Sequence, residues 1–161
     1  MKFVFEVYRN KKNVKKILFL DRDGVVIKDT VYPHKIKEIQ FLDKKINKII
    51  NYKNTNNFDT VGFITNQSGV QKNIFSEKEF WLCHEFIIKN CFYKGLQIDF
   101  TAVNFFKDIS YYRKPRSGML EQGLKYYNCK AKSCIFIGDK DSDKLAAKNC
   151  SMNFINVLNL L

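Results

Sequence analysis

The sequence predicts an α/β fold, a three-layer, Rossmann-like parallel sheet with helices on both faces. Three observations predict it. Short apolar runs recur at Ile17–Leu20, Thr60–Ile64, Ile98–Asn104, Cys134–Ile137 and Phe154–Val157. They are β-branched or aromatic and do not alternate with polar residues, as suits strands covered on both faces. Helical patterns separate them, and strand alternating with helix is the connectivity of a parallel sheet.

Taken in order, the chain opens on the basic stretch "MKFVFEVYRNKKNVKK". It lacks an apolar core and a small-residue cleavage site, so it reads as no secretory signal. Its lysines predict a solvated lead-in, residues 1–16, to the first core strand at Ile17–Leu20. Lys44–Tyr52 is the first helical pattern, and the polar "NYKNTNNFD" after it is short enough to be a surface loop. Ser76–Cys91 is the clearest helix. Ser76 and Glu79 have capping-box spacing, and Phe80, Cys83, Ile87 and Cys91 share one face. Met119–Tyr127 and Ser142–Cys150 complete the set. No repeat or Pro/Gly/Ser linker divides the chain, so residues 1–161 read as one domain.

Composition bounds the function. A chain of 161 residues buries roughly two-thirds of its unfolded surface without help from disulfides. No apolar run approaches the roughly 20 residues that cross a bilayer, so a cytoplasmic protein with no membrane partner is expected. Five cysteines and two histidines stand without C-x-x-C or C-x-H spacing, which is poor material for zinc. A net charge of +12 attracts anions. The lysines are scattered rather than clustered, which argues against a dedicated nucleic-acid arm.

Ligands of such a sheet sit beyond the carboxyl ends of its strands. The residues there are "DRDG", "TNQSG", "YRKPRSG" and "GDKDSD". Asp21 and Asp139 suit Mg²⁺, which takes one or two carboxylates with phosphate and water, provided the first and fourth predicted strands are neighbours. An aspartate in that position can also be a nucleophile, and Asp23, near the leaving oxygen, can serve as general acid and then base. The Gly24 turn brings both acids toward one site. Thr65, Asn66, Gln67 and Ser68 offer hydroxyls, amides and exposed backbone N–H groups to phosphate oxygens. Lys114 supplies a compact positive charge, and Arg113 a planar fork for a second part of the substrate. The last run opens a helix, where capping explains Asp141 or Asp143 as readily as metal binding does; Asp139, at the strand end, is the better ligand.

With these four runs in this order, the sequence resembles the haloacid dehalogenase-like phosphatases. "FLDRDGVV", "TNQSGV", "RKPRSGML" and "GDKDSDKLAA" look like the branch that contains histidinol-phosphate phosphatases and D-glycero-D-manno-heptose 1,7-bisphosphate 7-phosphatases. "TNQSG", "GDK" and the segment "DTVYPHKIKEIQFLD" tilt toward the heptose enzymes. The resemblance implies that Asp21 is nucleophile and Mg²⁺ ligand, and that Asp23 is acid/base and gives its backbone carbonyl to the metal. Thr65 and Lys114 would hold the phosphoryl group, and Asp139 would complete the metal site. Asp29, Tyr32, Asn66, Gln67, Ser68, Arg113 and Lys140 would lie about the substrate, with Asp143 orienting the site rather than binding the ion.

Members of this branch often carry a Cys/His zinc loop before the Arg-Lys pair. Here the stretch is "NFFKDISYYRKP", so no zinc is expected, and packing of Phe105, Phe106, Tyr111 and Tyr112 must hold the loop. The intervals that receive cap modules are short, which predicts a capless form, and nothing in the sequence calls for a partner subunit, so a monomer is expected. The expected activity is Mg²⁺-dependent hydrolysis of a small sugar phosphate, heptose 1,7-bisphosphate foremost, through an aspartyl-phosphate. A polynucleotide 3′-phosphatase and a histidinol-phosphate phosphatase are the alternatives. Nucleic acid is the less favoured partner because no stacking platform for bases is evident.

Overall fold

The structure is a computed structural model that describes residues 3–160. Within them lie six strands: β1 (Phe3–Val7), β2 (Ile17–Leu20), β3 (Thr60–Asn66), β4 (Phe100–Asn104), β5 (Ile135–Gly138) and β6 (Asn153–Asn156). Four α-helices join them: α1 (Asp43–Thr55), α2 (Glu77–Tyr93), α3 (Gly118–Tyr127) and α4 (Asp141–Asn149). The strands form one sheet in the order β1-β4-β3-β2-β5-β6. β2 to β6 are mutually parallel, in the α/β arrangement the sequence predicts.

Side chains alternate across this sheet, so each strand serves both helical layers. Leu18 and Leu20 of β2 join Val61, Phe63 and Ile137 against Ile46 and Ile49 of α1 and Ile87 and Cys91 of α2. Ile17 and Phe19 join Ile64, Phe100 and Phe136 against α3 (Met119, Leu120) and α4 (Ala146, Ala147). Each large side chain buried in this way contributes about 1.5–3 kcal/mol. Helix α2 begins at its predicted cap. The Ser76 hydroxyl accepts from Glu79 N, and the Glu79 carboxylate accepts from Ser76 N, which stabilises the helix start by about 1 kcal/mol.

The N-terminal segment departs from the solvated lead-in. Phe3–Val7 is an edge strand, antiparallel to β4, with Phe3 opposite Asn104. Its period-2 pattern explains this: Phe3, Phe5 and Val7 pack on one face and Val4 on the other. The segment that follows is anchored too, although Lys12, Lys15 and Lys16 remain exposed. Lys11 Nζ lies 3.0 Å from the buried Asp99 carboxylate, and the backbone N–H groups of Lys15 and Lys16 donate to Asp59. Met1 and Lys2, also part of that stretch, lie outside the described residues.

Between β2 and α1 the one regular element is a single 3₁₀ turn, Ile36–Glu38. Residues 105–117, between β4 and α3, form a loop. Neither interval holds a cap module among the described residues. From β2 the chain steps outward to β3 and β4, then crosses back past β2 to β5 and β6. The switch point therefore lies between β2 and β5, where a crevice opens beyond the strand ends. Asp21 follows one of these strands and Asp139 the other.

Candidate active site

Asp21 continues β2 by one residue, its N–H donating to Ile137 O at 2.9 Å. Its carboxylate accepts from Lys114 Nζ at 2.8 Å and from Arg22 N at 2.9 Å. Lys114 comes from the loop before α3, is almost wholly buried, and reaches Asp143 Oδ1 at 2.7 Å and Ile64 O at 3.2 Å. Asp143 sits in the first turn of α4. Its other oxygen accepts from the backbone N–H groups of Asp139 and Lys140, which fixes the end of β5. Gly138 makes that approach possible, because a Cβ there would stand 2.5 Å from Asp143 Cβ.

Asp21, Asp139 and Asp143 each offer a carboxylate oxygen within 4.8 Å of the others. One Asp139 oxygen is buried without a hydrogen-bond partner. The other lies 2.1 Å from where a Cβ on Gly24 would be, and Gly24 has φ +84°. The glycine thus supplies both the turn after "DRD" and the room for Asp139. Hard oxygen donors around an unsatisfied buried carboxylate fit a hard cation such as Mg²⁺.

Asp23 is held by other partners than this cluster. Its carboxylate accepts from Arg22 Nη2 at 3.0 and 3.1 Å, from Arg22 Nε at 3.3 Å, and from Gln67 Nε2 at 2.7 Å. Gln67 Nε2 also donates to Thr65 Oγ1 at 2.8 Å. Arg22 has no exposed surface and lies over the Phe80 ring of α2 at 5.2 Å. Sequence reasoning left Arg22 without a role. The signal was a cation between two acids in extended chain, where alternation sends it to the opposite face.

Two joined cavities complete the site. The inner one, about 60 Å³, is lined by Asp21, Asp23, Thr65, Asn66, Lys114, Lys140 and Ser142. The outer one, about 350 Å³, adds Asp29, Val31, Tyr32, Gln67, Ser68 and Arg113. Every residue expected around a phosphoryl group and its substrate therefore faces one crevice, and Ser142, assigned no role from sequence, lines both parts. Within it Asn66 brackets the backbone of Lys114, donating to its carbonyl and accepting from its N–H. The amides of Asn66 and Gln67 thus hold other site residues. Ser68 Oγ lies 3.4 Å from Tyr32 OH, which accepts from Lys72 at 2.7 Å. Lys140 and Asp29 pair across the rim at 2.7 Å.

The electrostatics follow from burial and charge. Burial pushes the Asp21 carboxyl up to about 7; Lys114 opposes this, while Asp143 and Asp23 add to it. Burial also raises Asp139, against Lys140 and with Asp143. Lys114 is held protonated above its ordinary range, because Asp21 and Asp143 together overcome burial. Burial works against Asp29 too, but its pairing with Lys140 brings it below the usual carboxylate range.

Packing of the loop after β4 is only partly as expected. Phe105 is buried against Phe80 and Trp81, and Tyr112 stacks on Phe3. Phe106 acts instead through its carbonyl, which accepts from Asn104 Nδ2 at 3.0 Å and Arg113 Nη1 at 2.9 Å. Tyr111 is half exposed and donates to Glu121.

A family model described as polynucleotide kinase 3 phosphatase matches residues 16–156. A D-glycero-alpha-D-manno-heptose-1,7-bisphosphate 7-phosphatase of Photorhabdus laumondii is 35% identical over 138 residues, covering 80% of this chain and 74% of that protein. An enzyme of the same name from Campylobacter jejuni is 31% identical over 144 residues, 89% of this chain and 83% of that one. Among solved structures, a D,D-heptose 1,7-bisphosphate phosphatase from B. bronchiseptica, complexed with magnesium and phosphate, superposes with a TM-score of 0.78. It is 25% identical over 86% of this chain and 78% of its own.

Proposed function

We propose, since this chain belongs to the haloacid dehalogenase-like phosphatases, that it is a Mg²⁺-dependent enzyme hydrolysing a small sugar phosphate, D-glycero-D-manno-heptose 1,7-bisphosphate foremost. The observation that carries this reading is the convergence of Asp21, Thr65 and Asp139, from three separate strand ends, and of Lys114, from the loop before α3, on one inner cavity and its edge. Support for the substrate comes from the 35% identical relative of that name and from the outer cavity of about 350 Å³, a size suited to a small molecule.

The chain's own groups divide the work as follows. Asp21, Asp139 and the backbone carbonyl of Asp23 are the proposed ligands, with Asp143 holding Lys114 and the strand end. A bound Mg²⁺ supplies charge neutralisation and Lewis-acid polarisation of the phosphoryl oxygens. Lys114 and Thr65 hold two of those oxygens in the inner cavity. The Asp21 carboxylate forms an O–P bond as the ester P–O bond breaks, and Asp23 gives a proton to the leaving oxygen. Asp23 then takes a proton from water, which attacks phosphorus and releases phosphate from Asp21. Arg22 and Gln67 keep the Asp23 carboxylate in place. Arg113, Lys140, Asp29, Tyr32 and Ser68 line the space for the sugar and its second phosphate.

The family match and the charge of +12 favour one second reading, a polynucleotide 3′-phosphatase. Released phosphate decides between them when heptose 1,7-bisphosphate, histidinol phosphate and a 3′-phosphorylated oligonucleotide are offered with Mg²⁺ and with EDTA. The sugar reading expects the bisphosphate to have the highest kcat/KM, little salt sensitivity and no turnover in EDTA. A dominant oligonucleotide activity that falls steeply with salt would replace it.

A further inference from the structure

Strand β1 runs along β4 in a register that places Phe3 beside Asn104, the last residue of β4. That is the catalytic end of the sheet. The chain leaves it as the loop 105–111 and returns as Tyr112-Arg113-Lys114. The Phe3 and Tyr112 rings stack there, with centroids 3.8 Å apart and planes within 2°. We infer that Phe3 is a positioning residue for the Arg113 side of the site, acting through Tyr112. The inference rests on the phosphatase reading for its kinetic consequence but not for its structural one.

The distribution of other contacts says which site residue depends on the stack. Lys114 has anchors of its own: Asn66 brackets its backbone, and Asp21 and Asp143 hold its ammonium. The start of the loop is fixed by buried Phe105 and by the Asn104 side chain, which donates to Phe106 O and accepts from Ser110 Oγ. Arg113 has a side-chain bond to Phe106 O at 2.9 Å, within the same loop, and follows directly on Tyr112. Tyr111 keeps its own anchors, donating to Glu121 and accepting from Gly118 N, so removing the stack loosens Tyr112 and Arg113 between these fixed points while Lys114 stays in place. An offset or parallel aromatic pair is worth a factor of about 3 to 10 in the population of the closed arrangement.

The test uses the full chain with three substitutions. Phe3→Leu keeps apolar bulk and removes the stack, Phe3→Tyr restores it, and Phe5→Leu loosens the same strand where it packs on Phe100 and Tyr126 instead. Limited trypsin cleavage after the exposed Lys107 reports the loop without any substrate. Steady-state kinetics on heptose 1,7-bisphosphate and on p-nitrophenyl phosphate report the site. Phe3→Leu is expected to speed cleavage about 3- to 10-fold and to raise KM for the bisphosphate by a similar factor, with p-nitrophenyl phosphate turnover within about twofold of wild type. Phe3→Tyr and Phe5→Leu should stay near wild type in both. Wild-type cleavage of Phe3→Leu overturns the inference, as does faster cleavage with unchanged KM, or a Phe5→Leu protein that behaves like Phe3→Leu. A wild-type protein inactive on the bisphosphate refutes the substrate assignment instead, and the trypsin result then decides the role of Phe3 alone.

Discussion

Replacing Asp21 with Asn separates the chemistry of the site from the stability of the fold. Asn keeps the shape and can still accept from Lys114 and from Arg22 N, but it cannot attack phosphorus. Burial raises the Asp21 carboxyl from its ordinary 3.8 to about 7 in the metal-free protein. The unfolded chain gives up this proton first, so the penalty for ionising Asp21 is absent below pH 3.8, grows up to about pH 7 and is complete at pH 8. The whole interval corresponds to roughly 4 kcal/mol. Relaxation around a buried charge recovers part of this, which leaves about 1–3 kcal/mol of relief in the Asn variant. At about 2–4 °C per kcal/mol for a domain of this size, Tm in EDTA at pH 8 should rise by about 2–12 °C. Turnover should fall by about 10⁴ or more, as for loss of a nucleophile. Scanning fluorimetry and a phosphate-release assay measure the two. A Tm several degrees below wild type would make Asp21 a structural partner of Lys114, and activity within tenfold of wild type would remove it as nucleophile.

Two further changes probe other parts of the site and its support. Gly24→Ala puts a Cβ against the Asp139 carboxylate in a backbone conformation that disfavours it; the Mg²⁺ concentration for half-maximal activity should rise more than about tenfold, and an unchanged Mg²⁺ titration contradicts the placement of Asp139. His84 is fully buried with Nε2 2.9 Å from Thr101 Oγ1, and burial, with Arg22 adding, lowers its pKa well below 6.5. The unfolded chain therefore takes up a proton near 6.5 that the folded protein refuses, so this contribution to stability is full above that pH and is lost as pH falls, by about 1.4 kcal/mol per pH unit. His84→Gln should flatten the fall of Tm between about pH 6.5 and 5.5, and parallel curves for the two proteins contradict it.

The parallel strands and the residues at their carboxyl ends were legible because apolar runs without alternation, each ended by a polar cluster, have few other uses. Asp139 at a strand end does lie beside Asp21 and Asp143 in one carboxylate cluster, and Asp143 does bond the end of β5 and Lys114. β1 was hidden because five residues of alternating pattern precede a run of lysines whose charge suggested solvent. Those lysines fold back because Asp59 and Asp99 lie at the opposite end of the sheet, a pairing no local pattern reveals. The same limit concealed Arg22 and the inward use of the Asn66 and Gln67 amides. Residue type shows that a group can bind phosphate; only the fold shows that another side chain has already claimed it.

The central claim is that Asp21 takes the phosphoryl group, and trapping the acyl-phosphate tests it most directly. Enzyme turning over the bisphosphate is quenched in acid, reduced with borohydride and digested with trypsin, which cuts after Lys16 and Arg22 and so separates Asp21 from Asp23. Homoserine in place of Asp21, in the peptide Ile17–Arg22, is the expected product. Reduction at Asp23 or Asp139, with position 21 intact, would contradict the mechanism.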